Sequence, residues 1–189
     1  MTRLYAEVIG DPIAQSKSPA IHNYWLEKLG IDAEYRAERV TSSQLEGYVE
    51  SRGNHRNWRG CNVTMPHKQA VMPLLDRLDP LAAQIGAVNT VVHEADGSVT
   101  GYNTDAGGFL EPLAPLIGRT HLFRMARVLG TGGAARAIVA ALARAGFVIV
   151  LAGRDPGKAR ALLDELDPGG EHHAVSLDHF AGPTDFAFD

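Results

Sequence analysis

Three short polar clusters in the first two thirds of the chain could do chemistry, at residues 15–18, 62–68 and 103–105. Serine hydroxyls beside a helix N-terminus can hold a carboxylate. Asparagine, threonine and aspartate offer hydrogen-bond donors and acceptors to the hydroxyl groups of a polyol. A lysine ammonium and a carboxylate can act as a general acid/base pair, so Lys68 and Asp105 are candidates if the fold brings them together.

Each cluster also has a purely structural interpretation. Ser18 can cap a helix that opens at Pro19, because serine is a good N-cap and proline is tolerated at the first helical position. Asn103 and Asp105 are typical of a turn, and Lys68 can be a solvated surface ammonium. The spacing of these residues alone leaves both interpretations open.

A glycine-rich loop lies later in the chain and fits the pattern G-x-G-x-x-A. Its residues are Gly130, Thr131, Gly132, Gly133, Ala134 and Ala135. Gly130 allows a tight turn, Gly132 lets the backbone approach a pyrophosphate, and Ala135 is small enough for close helix–strand packing. The loop follows a predicted strand and opens a predicted helix, whose N-terminus favours phosphate groups. The pattern therefore predicts a dinucleotide site; the alternative is a helix start with glycines for packing only.

The residues after the next predicted strand bear on the choice of nicotinamide cofactor. An acid at the strand end binds the ribose 2′-hydroxyl of NAD, whereas a nearby arginine accommodates the 2′-phosphate of NADP. Here the strand end is Gly153, followed by Arg154 and Asp155, with Lys158 one turn further on. The positive charges of Arg154 and Lys158 favour NADP over NAD, and the carboxylate of Asp155 weakens that preference. Alternatively, Arg154 is only a solvated cation on the surface.

Strands and helices that alternate along the chain must position these groups. Strands are predicted at residues 4–9, 32–40 and 60–64, and a hairpin at 88–93 and 98–102 around Asp96-Gly97. Helices are predicted from Ser18 to Gly30, with an apolar stripe of Ile21, Trp25 and Leu29, and at residues 43–51 and 69–78. This alternation is typical of an α/β domain with a mostly parallel sheet.

The pattern of the sequence changes near residue 118, and we place a domain boundary there. Beyond it, strands are predicted at residues 127–129, 147–152 and 174–177, and helices at 133–145 and 156–166. A last strand is predicted to begin at residues 185–189.

Composition excludes several classes of protein. The 189 residues contain one cysteine, Cys61, which rules out an intramolecular disulfide framework, and the net charge of −4 argues against a nucleic-acid surface. No run approaches the roughly 18 apolar residues of a membrane helix, and no signal-peptide pattern is present. No acid or cysteine lies at ligand spacing beside His172-His173, so no metal site is predicted. We expect a soluble, cytoplasmic protein whose substrates are small molecules or proteins.

The motifs together resemble those of the shikimate dehydrogenase family. Residues 10–23 closely resemble the family's first motif, and residues 62–68 look like its N-V-T-x-P-x-K motif. Residues 86–90 look like its G-A-V-N-T motif, and residues 103–105 like its N-T-D motif. The glycine loop follows in the family's order, so five motifs are matched across nearly the whole chain.

The resemblance implies a function and a role for each matched residue. Enzymes of the family interconvert 3-dehydroshikimate and shikimate with NADP(H), in aromatic amino-acid biosynthesis. Ser16 and Ser18 would hold the substrate carboxylate, and Lys68 and Asp105 would be the catalytic pair. Thr64, Asn89 and Asp105 would bind the ring hydroxyls, and Asn62 would support them nearby.

The same resemblance predicts two domains, the second of them incomplete. Residues 1–118 would form an α/β substrate-binding catalytic domain, and residues 119–189 would form part of a Rossmann-type NADP-binding domain. The family continues with further strands and a helical return to the catalytic domain, so we expect a chain truncated at its C-terminus. Two alternatives remain open: a quinate/shikimate dehydrogenase that uses NAD or NADP, and a truncated chain that binds shikimate or nucleotide without turnover. The sequence does not distinguish a monomer from a homodimer.

Overall fold

The structure is a computed structural model that describes residues 3–117 and 124–180. The chain divides into two compact units, Met1–Thr104 and Asp105–Asp189. The boundary predicted near residue 118 and the strand predicted at 185–189 fall on residues outside this description, and both stay predictions.

The first unit is built on a six-stranded sheet with the order β2-β1-β3-β5-β6-β4. Its strands are β1 (Leu4–Gly10), β2 (Ala33–Arg39), β3 (Trp58–Val63), β4 (Arg77–Leu78), β5 (Thr90–His93) and β6 (Val99–Tyr102). Strand β1 pairs in parallel with β2 and β3, and β4 pairs in parallel with β6. Strand β5 is antiparallel to both of its neighbours, so the sheet is mixed and mostly parallel, with the predicted hairpin formed by β5 and β6.

The helices of the first unit are α1 (Ser18–Lys28), α2 (Leu45–Gly53) and α3 (Pro80–Ile85). The helix predicted at residues 69–78 is wrong: a 3₁₀ turn (Met72–Leu74) and strand β4 lie there instead. Pro73 lies within that stretch, and a proline in a helix interior removes a hydrogen bond and clashes with the preceding turn.

The two faces of the first sheet are covered unequally. On one face, Ile9 and Trp58 pack with Tyr48 of α2 in the main core. On the other face, Val8, Ile13 and Tyr35 form a small cluster against which Leu26 of α1 packs. Helix α1 has no buried residue, and its apolar stripe is exposed, at 46% for Ile21, 52% for Trp25 and 71% for Leu29.

The second unit contains a parallel three-stranded sheet with the order β7-β8-β9. Its elements are α4 (Asp105–Leu110), a 3₁₀ turn (Glu111–Leu113), α5 (Ala114–Ile117), β7 (Met125–Leu129), α6 (Gly133–Arg144), β8 (Val148–Gly153), α7 (Pro156–Leu166), β9 (His173–Ser176) and α8 (Leu177–Phe180). Ile149 and Leu151 of β8 are fully buried among residues of α6 and α7, as the apolar run there predicts. Among the described residues, no helix is long and apolar enough to cross a bilayer.

Candidate functional site

Two loops meet at the carboxyl ends of β1 and β3 in the first unit. The Thr64 amide donates to the Ile9 carbonyl at 2.9 Å, and the Asp11 amide donates to the Met65 carbonyl at 3.1 Å. A Cβ atom on Gly10 would lie 2.6 Å from Thr64 Cγ2 and 2.9 Å from the Met65 carbonyl oxygen. Only glycine therefore allows the loop that carries Ser16 and the loop that carries Thr64 to approach so closely.

The serines of the first loop lie at the start of α1. Both are half-buried, and the Ser16 hydroxyl accepts a 3.3 Å hydrogen bond from the Ser18 amide. Ser18 is the first residue of α1 and Lys17 occupies the N-cap position without a side-chain bond, so the prediction that Ser18 caps this helix is wrong. The two hydroxyls lie at the N-terminal end of α1, where an anion is favoured.

Lys68 lies in the turn after β3 and is half-buried. The carbonyl of Lys68 accepts a 2.7 Å bond from the Val88 amide, which ties this turn to the start of β5. The neighbouring His67 is fully buried, and its Nε2 donates to the Val40 carbonyl at 2.6 Å. His67 therefore anchors the turn that carries Lys68. Its position between Pro66 and Lys68 in the motif is the sequence signal that could have identified this role.

Asn89 lies just before β5, is 8% exposed, and has its amide orientation fixed by Thr104. The Thr104 backbone amide donates to Asn89 Oδ1 at 2.9 Å, and Asn89 Nδ2 donates to the Thr104 hydroxyl at 2.8 Å. The Asn89 backbone amide also donates to the Tyr102 carbonyl at 3.0 Å, and Asn103 Nδ2 donates to the Ala87 carbonyl at 2.8 Å. Asn89 and residues 103–104 therefore come together where β5 begins and β6 ends.

The Asn62 side chain is held by neighbours within the sheet. Its Oδ1 accepts a 2.5 Å bond from the Tyr35 hydroxyl, and its Nδ2 donates to Thr90 Oγ1 at 3.3 Å. The supporting place expected for Asn62 stays a prediction. Tyr35 was not a candidate in the sequence, and no short-range signal connects it with Asn62.

Asp105 is the first residue of α4 and belongs to the second unit. The predicted pairing of Asp105 with Lys68, which lies in the first unit, therefore stays a prediction.

The glycine loop connects β7 and α6 as predicted. Gly130 has φ +102°, which favours glycine, and its amide donates to the Ala152 carbonyl at 2.8 Å. Gly132 is the N-cap of α6 with φ −83°, a value that any residue can adopt, and a Cβ atom there would meet nothing within 4 Å. The fold itself does not require glycine at 132, so the packing interpretation fails for that residue, and a bare backbone suits the close approach of a phosphate.

The rest of the loop behaves as the fingerprint predicts. Ala135 is 7% exposed and packs in the core of the second unit, whereas Ala134 is exposed at the helix start. A cleft of about 670 Å³ lies along the loop and reaches the end of β8. Its lining includes Gly130, Thr131, Gly132, Gly153, Arg154, Asp155 and Lys158. This donor set, with bare glycine backbone, a helix N-terminus and two cations, fits a dinucleotide phosphate.

Asp155, which lines this cleft, is the N-cap residue of α7. Its carboxylate caps α7, accepting from the Gly157 amide at 2.9 Å and the Lys158 amide at 3.2 Å. The Arg154 and Lys158 side chains are exposed at the same cleft. A Cβ atom on Gly153 would lie 3.0 Å from Thr131 Cγ2, so a larger residue at this strand end would need Thr131 to shift.

Within the described residues, no group of three or more His, Cys, Asp or Glu side chains could hold a metal ion. His172, one of the paired histidines, is 6% exposed, and its Nδ1 accepts from the Ile149 amide at 3.1 Å. Its Nε2 lies 3.0 Å from the Asp167 carboxylate. His172 thus joins β8 to the turn after α7.

Comparisons with known proteins show which proteins this chain is similar to. The family described as the shikimate dehydrogenase substrate binding domain matches residues 8–91. Shikimate dehydrogenase (NADP(+)) of Sphingopyxis alaskensis is 50% identical over 182 residues, covering 95% of this chain and 64% of that protein. Its counterpart in Lysinibacillus sphaericus is 43% identical over 171 residues, covering 90% of this chain and 60% of that protein.

A solved structure shows the same fold. Shikimate 5-dehydrogenase of Thermus thermophilus, in complex with NADP(H) and shikimate, is 41% identical, with a TM-score of 0.78. The match covers 91% of this chain and 62% of that one. The chain thus spans less than two thirds of the length of each of these three relatives. Residues 8–91 therefore carry the substrate binding domain of the shikimate dehydrogenase family, and the similarity to shikimate dehydrogenases continues through the glycine loop of the second unit.

Proposed function

We propose that the chain carries the substrate and cofactor sites of an NADP-dependent shikimate dehydrogenase, which reversibly reduces 3-dehydroshikimate to shikimate with NADPH in aromatic amino-acid biosynthesis. The observation that carries the proposal is the meeting of separate motifs at one edge of the first sheet. Backbone hydrogen bonds tie Thr64 to β1, Lys68 to Val88, and Asn89 to β6. The names of the two bacterial relatives and the bound ligands of the Thermus protein support the choice of substrate and cofactor.

The residues present fit a carboxylated polyol. Ser16 and Ser18 would hold the carboxylate beside the amides of the first turn of α1. Thr64 and Asn89 would bind ring hydroxyls, together with Asp105. The fixed amide of Asn89 would distinguish a hydroxyl that donates from one that accepts.

Lys68 would act on the oxygen atom that changes during the reaction. When bound, NADPH supplies a hydride to the ketone carbon. As the carbonyl oxygen gains negative charge, the Lys68 ammonium would stabilise it and donate the proton that forms the hydroxyl group. In the reverse direction the neutral amine of Lys68 would take that proton back, and Asp105 would orient both the lysine and the reacting hydroxyl.

Arg154 and Lys158 would hold the 2′-phosphate of NADP. The Asp155 carboxylate keeps its negative charge beside them, but its Oδ1 accepts from the two amides at the start of α7. An acid in place of Gly153, which would favour NAD, would press on Thr131. These features support NADP over NAD.

The test measures binding and turnover separately on the purified chain. Calorimetric titration with shikimate and with NADP should each show saturable binding, and NADPH absorbance should fall when 3-dehydroshikimate is added. Absence of shikimate binding would reject the proposal. Binding of both ligands without hydride transfer would support the non-catalytic alternative, and comparable rates with quinate would support the quinate/shikimate alternative. We further propose a cytoplasmic location and a monomer or homodimer, which cell fractionation and analytical ultracentrifugation would test.

A further inference from the structure

A row of side chains crosses the α1 face of the first sheet. The strand register pairs Val8 of β1 with Asn62 of β3, and Asn62 with Thr90 of β5. Because paired residues point to the same face, Asn62 and Thr90 lie side by side on this face. Tyr35 reaches the row from β2, two strands away from β3 in the sheet order.

The Tyr35 ring is held firmly in this place. Tyr35 is 6% exposed, and its ring stacks on His22 with centroids 4.1 Å apart and planes 8° apart. The side chain of Asn23 bonds both backbone groups of Tyr35, donating to its carbonyl at 2.8 Å and accepting from its amide at 2.9 Å. The phenol therefore has little freedom to leave Asn62.

The hydrogen bond between Tyr35 and Asn62 bears on which way the Asn62 side-chain amide faces. The Tyr35 hydroxyl donates to Asn62 Oδ1 at 2.5 Å, which leaves Asn62 Nδ2 facing Thr90 Oγ1 at 3.3 Å. Asn62 Nδ2 also lies 3.5 Å from the Asn89 carbonyl, which can only accept and therefore favours the same orientation of the Asn62 amide. Tyr35 is the short, buried contact that holds the Asn62 amide in this orientation.

The Thr90 hydroxyl couples the orientation of the Asn62 amide to that of the Asn89 amide. Since the Thr90 oxygen accepts from Asn62, its one hydroxyl proton is directed to Asn89 Oδ1 at 3.0 Å. Asn89 Oδ1 also accepts from the Thr104 amide, and Nδ2 of Asn89 donates to the hydroxyl of the same threonine. If the Asn62 amide turned over, Thr90 could donate to Asn62 instead, and Asn89 would lose one of the donors that fix it.

We propose that Tyr35 is a positioning residue for the substrate site, acting through Asn62 and Thr90 to hold the Asn89 amide in the orientation that binds a ring hydroxyl of shikimate. The inference rests on the proposed function, because it assumes that Asn89 binds this substrate. Tyr35 does not itself touch the ligand in this role. Burial raises the pKa of Tyr35 well above its usual value, so the phenol stays a donor at neutral and mildly alkaline pH.

The main test compares two buried phenols. Tyr35→Phe should weaken shikimate binding by about fivefold, the equivalent of one ordinary hydrogen bond, and leave NADP binding unchanged. Where turnover is measured, KM for shikimate should rise while kcat stays within about twofold. Tyr48→Phe is the matched control, because Tyr48 is also buried but donates to Glu7 on the opposite face of the sheet. It should lower the free energy of unfolding and leave shikimate affinity unchanged.

A double-mutant cycle tests whether Tyr35 acts on Asn89 through Thr90. Thr90→Val removes the hydroxyl in the middle of the row, so Tyr35→Phe should add little to its effect on shikimate affinity. Full additivity of the two substitutions would overturn the proposal. So would a folded Tyr35→Phe protein with wild-type affinity, or an equal loss of affinity in Tyr48→Phe.

Nuclear magnetic resonance separates failure of this inference from failure of the proposed function. The side-chain amide signals of Asn89 should shift or broaden in Tyr35→Phe and stay in place in Tyr48→Phe, in the absence of any ligand. If wild-type protein binds no shikimate, the proposed function fails, and these signals still decide whether Tyr35 orients Asn89. Unchanged Asn89 signals in Tyr35→Phe would overturn the inference.

Discussion

The Tyr48 hydroxyl donates a 2.7 Å hydrogen bond to the carboxylate of Glu7, which is 1% exposed in the middle of β1. The same carboxylate accepts from Arg52 Nε at 2.9 Å. Glu7 thus joins β1 to two residues of α2 across the core of the first unit. A buried carboxylate is costly unless it is paired and hydrogen-bonded, so the three side chains depend on one another.

Glu7→Gln should therefore destabilise the first unit by about 2–3 kcal/mol, because it leaves Arg52 without its charge partner. Arg52 is 26% exposed and can rehydrate in part, which places the loss below that of a fully buried pair. Urea denaturation followed by circular dichroism measures the change. Asp32→Asn is the control, since it breaks an exposed pair with Arg3 and should cost less than about 1 kcal/mol. Equal losses in the two variants would contradict the role of Glu7.

Gly10→Ala should weaken shikimate binding, because the new Cβ would press on Thr64 and on the Met65 carbonyl. A displacement of Thr64 by a few tenths of an ångström would disturb the substrate loops, and we expect about a tenfold higher Kd. Isothermal titration calorimetry with shikimate measures it. Gly47→Ala in α2 is the control: a Cβ there meets nothing within 4 Å, and alanine favours a helix. Gly47→Ala should keep wild-type affinity and gain up to about 1 kcal/mol of stability.

Lys68→Ala should lower kcat by about 10²-fold or more and change KM for 3-dehydroshikimate much less, since its ammonium acts on charge that develops in the transition state. Steady-state rates of NADPH oxidation measure both constants. Lys28→Ala removes the same group from the exposed last turn of α1 and should leave kcat unchanged. Wild-type kcat in Lys68→Ala would show that the catalytic assignment is wrong.

Arg154→Ala should raise the Kd for NADP about tenfold or more and change the Kd for NAD little, because only NADP carries the 2′-phosphate. Fluorescence titration with both cofactors gives the ratio. Arg144→Ala, at the far end of α6, removes an exposed arginine outside the cleft and is the matched control. A parallel loss of NAD and NADP affinity in Arg154→Ala would mean that the side chain does not distinguish the cofactors.

Local patterns in the sequence were sufficient for β7, α6, β8 and α7 of the second unit. The G-x-G-x-x-A loop, the apolar run of β8 and the Asp155-Pro156 start of α7 each depend on neighbours within a few residues, and the structure has these elements where they were expected. In α1 the same kind of pattern shows that Ile21, Trp25 and Leu29 share a face but not whether another element covers it, and all three side chains are exposed.

The network around Asn89 was beyond any local pattern. Tyr35 and Asn62 are 27 residues apart in sequence, and only the strand order of the sheet brings the phenol to the amide. The close approach at Gly10 likewise depends on Thr64, whose loop follows a different strand. Motif resemblance could name Asn62, Asn89 and Thr64, but the interactions that position them come from tertiary structure.

Stability should fall at alkaline pH through the single cysteine. Burial, and the nearby Glu7 carboxylate, raise the pKa of Cys61 from 9.0 to about 12. Because the unfolded thiol ionises at lower pH than the folded one, the folded state binds more protons between these values. The contribution of Cys61 is therefore complete below about pH 9 and is lost as the pH rises toward about 12, at up to about 1.4 kcal/mol per pH unit.

Cys61→Ala removes this dependence and leaves the tyrosines in place, so wild type and variant should diverge only at alkaline pH. Urea denaturation at about pH 8 and about pH 10.5 should show a steeper loss of unfolding free energy in the wild type. The comparison is made as a difference because Tyr48 is also buried and burial raises its pKa well above the usual value, which adds its own alkaline loss to both proteins. Equal slopes in the two proteins would show that the Cys61 thiol titrates alike in the folded and unfolded states, and that the core around Glu7 and Tyr48 does not suppress its ionisation.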